Sequence, residues 1–503
     1  MVASADQLAT SAGLAIFAQG GNAVDAAIAT NAAIAVTAPN LCGIGGDLFA
    51  LIHIDDPALP DTPGETFALN ASGRAGSGAD PAALRAEGHT EMPFKLDVRS
   101  VTVPGCIDGW MALHERYGSL ALDVELAPAR RLAADGFPAS PLLVGSLSRL
   151  DAPGRSNLAE LAQQATAVGA VVRRPGAALI LAALPTSGRD GFYLGAFGHG
   201  LLELGDGLFS ADDLGTVQAD WVDPLSASAF GIDLHTIGPN SQGYLTLAAA
   251  RLAERLDLPE DPDDERWAHL LIEAATAAGF DRPDVLHEHA DGNALVGTID
   301  QRLDLIGLEA ASRRAAPGFD GDTTYLCTAG IDRDGRRIGV SLIQSNADGF
   351  GSHLVEPNTG INLHSRGIGF NLVEGHPAEF GPGRRPPHTL SPALATRSGR
   401  LAAVFGTMGG DAQPQILLQI ATRLFHHGQS PTVAIDAARW MLRGPETGFD
   451  AWTGAGGPSV HVEAHAPANW VDALAAICHR TESRPAWDSG FGHAHAIVVE
   501  PTG

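Results

Sequence analysis

The chain has 503 residues, 45% of them apolar, enough to bury a sizeable core; at ~150 residues per domain the length suggests about three domains or one large layered unit. With 58 acidic against 32 basic residues the net charge is −26, which repels phosphate backbones and anionic lipid and excludes nucleic acid and membrane surfaces as partners. Four scattered cysteines (Cys42, Cys106, Cys327, Cys478) form no CxxC pair, so neither a disulfide framework nor a zinc site is expected.

The acidic excess reads as a solvated face, with adaptation to high salt as the alternative; Lys95 is the only lysine. No apolar run approaches the ~20 residues that span a bilayer. No basic leader precedes Val2-Ala3-Ser4-Ala5-Asp6, so a cytoplasmic location is expected, or a periplasmic or secreted one if the start has been trimmed.

In chain order, Ser4 to Ala38 carries small apolar residues at helical spacing, interrupted at Gly20-Gly21-Asn22. This predicts a helix, a glycine stop and a second, alanine-rich helix over 23–36 that packs closely on something. Gly43, Gly45 and Gly46 then feed a buried strand, Leu48 to Ile54. Helical spacing returns over Asp123–Gly136 and Leu158–Leu184, and Pro259 to Glu265 is a loop before a long helix, Arg266 to Gly279. Arg313 to Asp322, with Pro317, reads as an exposed connector.

Beyond Thr323 the texture turns to strands. Thr324–Ala329 and Ile338–Gln344 flank Asp332-Arg333-Asp334-Gly335, an Asp-Gly turn that predicts a hairpin. Pro414 to Phe425 reads as a helix and Ala494 to Glu500 as a closing strand. The order of elements fits a layered α/β sandwich better than repeated βαβ units.

Gly43-Ile44-Gly45-Gly46 precedes a strand, whereas a phosphate loop follows one, so close backbone packing is the preferred reading. The histidine pairs His287/His289, His426/His427 and His493/His495 lack ligand partners at metal spacing and read as surface or core histidines. The Asp322-Thr323 junction differs. A threonine hydroxyl becomes a competent nucleophile when its own α-amine is freed beside it, which requires a strand start after a cleavable connector. Thr323 meets both conditions, although an ordinary strand start meets them too. Gly406-Thr407-Met408-Gly409-Gly410-Asp411, before a helix, could hold an oxyanion on backbone N–H groups or be a simple turn.

Gly20-Gly21-Asn22-Ala23-Val24-Asp25-Ala26-Ala27, Gly43-Ile44-Gly45-Gly46-Asp47, Ala133-Ala134-Asp135-Gly136-Phe137, Gly238-Pro239-Asn240-Ser241-Gln242-Gly243 and Gly321-Asp322-Thr323-Thr324-Tyr325 follow in order along most of the chain. Together they resemble the γ-glutamyltranspeptidase (glutathione hydrolase) family of N-terminal nucleophile hydrolases. The resemblance implies a four-layer αββα sandwich made as a proenzyme. Cleavage after Asp322 would yield a large-subunit region, 1–322, and a small-subunit region, 323–503, intertwined in one heterodimeric unit that could oligomerise further. It implies a gamma-glutamyltransferase-like amidohydrolase or acyltransferase, acting on a γ-glutamyl or related carboxyacyl amide through an acyl-threonine, with no cofactor and no metal. Thr323 takes the nucleophile's place, with Thr324 the runner-up. Ser345 stands where a second threonine bonds the nucleophile, Gly409 and Gly410 fall at the oxyanion hole, and Asn346 lies one position from a substrate-contacting asparagine.

Departures bear on the substrate. The family's arginine for the donor carboxylate aligns with Ser72, with Arg74 two residues on; its acidic residue for the donor ammonium aligns with Gly369; its paired serines correspond to His388-Thr389. An anionic acyl group without an amine, met by Arg74 or Arg366, fits these changes, as in cephalosporin/glutaryl acylases or small oxo-acid amidohydrolases. The alternatives of another class are a processing-dead binding protein and a metal-dependent hydrolase using the histidine pairs.

Overall fold

A computed structural model of the chain describes residues 1–59, 61–312, 323–443 and 458–500. The Arg313–Asp322 connector, and with it Asp322, lies outside the described residues.

The architecture is α/β with antiparallel sheets. A six-stranded sheet runs, in spatial order, Val2–Ser4, Thr323–Ile331, Arg337–Ser345, Asp47–Asp55, Glu65–Ala71 and Asp220–Val222. A five-stranded sheet runs His495–Val498, Arg400–Gly406, Ala393–Arg397, Ile232–Ile237 and Pro224–Ala229. Every neighbouring pair in both is antiparallel. Both sheets combine strands from before and after residue 323.

The two sheets face one another across Phe49, Leu51, Tyr325 and Ile343 of the first and Ile237, Leu394, Val404 and Ile497 of the second. Strand residues of opposite parity, among them Leu48, Ala50, Leu326 and Leu342, face the other way into a helical core. The second sheet likewise turns Ala393, Ala403 and Phe405 toward the helices Tyr244–Glu254, Glu265–Gly279 and Gln413–Ala421.

The alanine-rich helix runs Ala23–Thr37 with every residue buried. Asn22 caps it, its Oδ1 accepting from Asp25 N at 3.1 Å while the Asp25 carboxylate accepts from Asn22 N at 2.6 Å, a reciprocal capping box. Small side chains let it lie between the Gln7–Ala18 and Leu122–Asp135 helices and against the first sheet.

The hairpin forms as expected, with Asp332 N donating to Arg336 O at 2.8 Å and Gly335 at φ 82°. The stretch expected to be helical from Leu158 to Leu184 is broken. It forms Ala159–Gln164, a two-residue strand Val171–Val172 and a new helix Pro175–Ser187. The first piece ends at Ala165, whose ψ of 55° leaves the helical region, Gly169 at φ 83° turns the chain before the strand, and Pro175 starts the second helix where a missing N–H costs nothing. The Gln413–Ala421 helix ends in a wide turn, Thr422–His426. No helix among the described residues is long and apolar enough to cross a membrane.

Candidate active site

Strand parity decides which threonine faces the space between the sheets. Tyr325 and Cys327 point into the inter-sheet core, so Thr323 does too, while Thr324 shares the helix-facing side with Leu326. The same parity turns Ser345 (with Ile343) and Asp47 (with Phe49) into the inter-sheet space. Ser345 lies opposite both Thr323 and Asp47 in the strand register. Three polar side chains therefore line up across one end of the sheet, with Thr323 and Asp47 about 10 Å apart at two strand spacings.

Thr323 Oγ1 donates to Ser345 Oγ at 3.1 Å, and Ser345 Oγ also accepts the Ala347 N–H at 2.8 Å. Ala347 holds φ 78°, so the chain turns sharply after Ser345 and brings its own amide back onto that hydroxyl. Thr324 Oγ1 is buried and makes no hydrogen bond among the described residues.

The second sheet delivers the glycine pair to this place. Gly406 ends its strand against the Tyr325 ring so closely that a Cβ would overlap the ring atoms. Gly409 at φ 134° and Gly410 at φ 54° then adopt conformations open chiefly to glycine before the Gln413–Ala421 helix. Gln242 Nε2 donates to the Gly410 carbonyl at 3.0 Å and to the Thr389 carbonyl at 2.9 Å, fixing the glycine turn to the segment that carries His388 and Thr389.

Asp47 is fully buried and satisfied. One carboxylate oxygen accepts from Gly73 N at 3.0 Å and Gly105 N at 3.2 Å. The other meets His388 Nε2 at 3.2 Å and lies 3.6 Å from His364 Nδ1. Burial pushes its pKa up, but the two histidines and Arg366 outweigh that and hold it at about 2. Burial, helped by Arg366, lowers His388 to about 3, and burial also lowers His364. At neutral pH this gives an ionised Asp47 between two neutral imidazoles.

Arg366 is fully buried and donates to Thr389 Oγ1 at 3.2 Å. Burial lowers its pKa to about 10, against the pull of Asp47 and Asp411, so it stays charged. Asp411, directly after the glycine pair, pairs with buried Arg282 at 3.1 Å. Arg74 is engaged elsewhere, its guanidinium bonded to Asp220 at 2.8 Å and to Gln218 Oε1 at 3.3 Å. Asn346 packs on the Gly43–Gly46 turn, its Nδ2 donating to Pro39 O at 3.3 Å.

Thr323 and Ser345 thus form one bonded pair, and Gly410, Thr389 and Arg366 a second chain held by Gln242, with His388 beside it on Asp47, Asn346 on the Gly43–Gly46 turn and Arg74 on a separate ion pair. Sequence reasoning missed Asp47, Gln242 and His364, which hold His388 and the glycine turn in place. Among the described residues none of the histidine pairs His287/His289, His426/His427 and His493/His495 falls in a cluster of three possible ligands, and His493 Nε2 bonds Ser489 Oγ at 2.9 Å.

Two antiparallel sheets, clad in helices and meeting over a strand-initial threonine, are the build of an N-terminal nucleophile hydrolase, and the chain is an enzyme of that class. It matches the Gamma-glutamyltranspeptidase family profile over residues 9–503 and belongs to that family. It is 31% identical over 526 residues to the Glutathione hydrolase-like YwrD proenzyme of Bacillus subtilis, covering 100% of this chain and 95% of that one. It is 32% identical over 522 residues to the Oxamate amidohydrolase proenzyme of Klebsiella pneumoniae, again covering 100% and 95%. The crystal structure of cephalosporin acylase from Bacillus halodurans superposes with a TM-score of 0.86 at 32% identity, covering 100% of this chain and 92% of that one.

Proposed function

We propose that the chain is a self-processing amidohydrolase or acyltransferase, a four-layer αββα sandwich that uses Thr323 as nucleophile for a carboxyacyl amide. The observation that carries the reading is the Thr323–Ser345 hydroxyl contact, 3.1 Å long and facing the inter-sheet space at the end of the connector.

In self-processing, the Thr323 hydroxyl attacks the Asp322 carbonyl and the peptide nitrogen leaves as the Thr323 α-amine. Water then hydrolyses the resulting ester, leaving a large subunit, 1–322, and a small subunit, 323–503. The α-amine, with an ordinary pKa near ~7.7–8.0, takes the hydroxyl proton in each later turnover. The Thr323 oxygen attacks the substrate carbonyl, Gly409 and Gly410 N–H groups hold the oxyanion, and the amine leaves. Water, or an acceptor amine, releases the acyl group.

For the donor, Arg366 with Thr389 supplies a buried cation suited to a distal carboxylate. The position aligned with an ammonium-binding acid is Gly369. A Cβ there would fall well inside 3.0 Å of the Pro387 carbonyl oxygen, so the backbone itself leaves no room for a carboxylate side chain. A glutaryl-like or short oxo-acid amide fits this better than a γ-glutamyl amide, and relatives named cephalosporin acylase and oxamate amidohydrolase support the choice.

Denaturing electrophoresis with N-terminal sequencing tests the first half: two bands, the smaller beginning at Thr323, and a single uncut band for Thr323→Ala. An uncut wild type after long incubation sinks the proposal. A screen of paired acyl amides with and without the α-amine tests the second half, with turnover expected chiefly for those without it.

A further inference from the structure

A second cluster lies apart from the nucleophile's network. The Glu265–Gly279 helix carries His269 and Glu273 one turn apart, on the same face. The chain leaving the Trp470–Ala476 helix turns at Cys478, φ 75°, and sets His479 against them. All three are buried, and one ligand atom of each lies within 4.8 Å of the other two. His269 Nδ1 and His479 Nε2 approach to 2.8 Å.

Glu273 is held for this task by backbone. Its Oε2 accepts from Gly307 N at 2.9 Å, and both oxygens accept from Ser312 N, at 3.1 and 3.2 Å. Those bonds aim the carboxylate and leave Oε1, which among the described residues accepts only from Ser312 N, a lone pair for the ion. Two imidazoles and one carboxylate suit zinc and its neighbours rather than magnesium or calcium, which favour all-oxygen sets.

A tetrahedral ion at about 2.1 Å from each ligand needs them about 3.4 Å apart. The two nitrogens must open slightly and the carboxylate close, movements within the reach of side-chain torsions. At the 2.8 Å contact one ring donates its hydrogen to the other. On metal binding that ring carries the hydrogen on its other nitrogen, so both face the ion with lone pairs and no proton is lost.

We propose that His269, Glu273 and His479 form a site for a divalent transition metal of the zinc type, remote from the nucleophile. Its placement suggests what it does. His269 and Glu273 precede the connector and His479 follows it, and Ala311 N already donates to Ile477 O at 2.9 Å across the same junction. An ion here staples the end of the large-subunit region to the small-subunit region. The stapling role rests on cleavage after Asp322; the binding of the ion does not.

The test is titration of tag-free, chelator-stripped protein with zinc, and with cobalt to read visible absorption, on the cut wild type and on uncut Thr323→Ala. One equivalent should bind both forms, with a cobalt spectrum of low-coordinate nitrogen and oxygen ligation. His479→Ala and Glu273→Gln should each lose more affinity than the roughly 10–100-fold typical of removing an outer-sphere partner. Chelation should lower the melting temperature of the cut wild type and leave that of His479→Ala unchanged. Wild-type protein that binds neither ion, or binds them as weakly as His479→Ala, overturns the site whether or not the variants fold. Binding by Thr323→Ala alongside an uncut wild type would sink the cleavage reading and the staple while keeping the ion.

Discussion

Adding a side chain at Gly369 is the most informative perturbation of the substrate pocket. An alanine Cβ would crowd the Pro387 carbonyl oxygen, and the Pro386 ring stands 3.4 Å away on the same side. A carbon–oxygen contact relaxes at about 3.3 Å, so the Pro386-Pro387 backbone must move by on the order of half an ångström to one ångström. Such overpacking costs about 1–3 kcal/mol of stability. The displacement passes directly to His388 and Thr389, whose bonds to Asp47 and Arg366 are each 3.2 Å and have little slack. Misplacing a positioning group by about 1 Å costs up to roughly 100-fold in rate. Gly369→Ala should therefore self-cleave, because Thr323 and Ser345 lie on other strands, yet lose about 10- to 100-fold in kcat/KM on a carboxyacyl amide. Gly369→Asp should do the same and gain no γ-glutamyl turnover. The assay pairs subunit appearance on gels with initial rates on a glutaryl and a γ-glutamyl anilide. Wild-type rates and melting temperature in Gly369→Ala, or γ-glutamyl hydrolysis in a well-folded Gly369→Asp, would refute the reasoning.

Acid should destabilise the fold in a way His388 shares. Its pKa is about 3 in the fold against an ordinary 6.5, so the unfolded chain binds the extra proton between those values; the stabilisation is present above 6.5 and lost as pH falls. Between pH 7.5 and 5.0 the wild type should lose about 2 kcal/mol more than His388→Gln in urea titrations, and equal losses would contradict the assignment. Asp47, held at about 2 against an ordinary 3.8, extends the loss below pH 4. Ser345→Ala removes the partner of the Thr323 hydroxyl and should slow self-cleavage about 10-fold, for a hydrogen bond of about 1.5 kcal/mol; time courses on gels decide, and an unchanged rate would remove Ser345 from the machinery. Gly406→Ala drives a methyl into the Tyr325 ring and should cost about 1–3 kcal/mol while displacing the glycine pair. Thermal melting and residual turnover measure both effects, and an unperturbed variant would show that the pair is not seated through Tyr325.

The Thr323 strand was legible because local rules agree there: a connector, a strand start and an Asp-Gly hairpin. The Ala23–Thr37 helix was legible through its alanine-rich helical spacing after the Gly20-Gly21-Asn22 interruption. Two hairpins of the second sheet escaped, although their turns carry a signal. Phe230-Gly231 (φ 57° and 72°) and Ser398-Gly399 (φ 51° and 73°) both place two residues at positive φ between short strands, the geometry of a type I′ turn. Only the glycine of each pair marks itself in sequence, and the flanking runs Pro224–Ala229 and Ala393–Arg397 are too poor in β-branched residues to announce strands. Asp47 was visible as the residue closing a glycine turn, but its partner His388 lies 341 positions away. Helical spacing within Glu265–Gly279 puts His269 and Glu273 together, whereas His479 joins them over 210 residues of chain.

The charges around the Thr323 end of the sheet argue for the proposed donor more strongly than any single alignment. A substrate ammonium needs a carboxylate with an unused lone pair facing the pocket. Asp47 commits one oxygen to Gly73 and Gly105 and the other to His388, while Asp411 is drawn to Arg282. Burial lowers both His388 and His364, so neither imidazole relieves Asp47 of its charge at neutral pH. An entering ammonium would meet Arg366 and no uncommitted anion from this group, since Arg282 and Asp411 offset one another. An entering carboxylate would meet Arg366 across a low-dielectric space, where attraction is strong. Arg366→Met should accordingly raise KM for a glutaryl amide far more than it lowers kcat, while a neutral acyl amide of the same length should be turned over at least as well as by wild type. Equal losses on both substrates would mean that Arg366 supports the fold of the site and takes no part in choosing the donor.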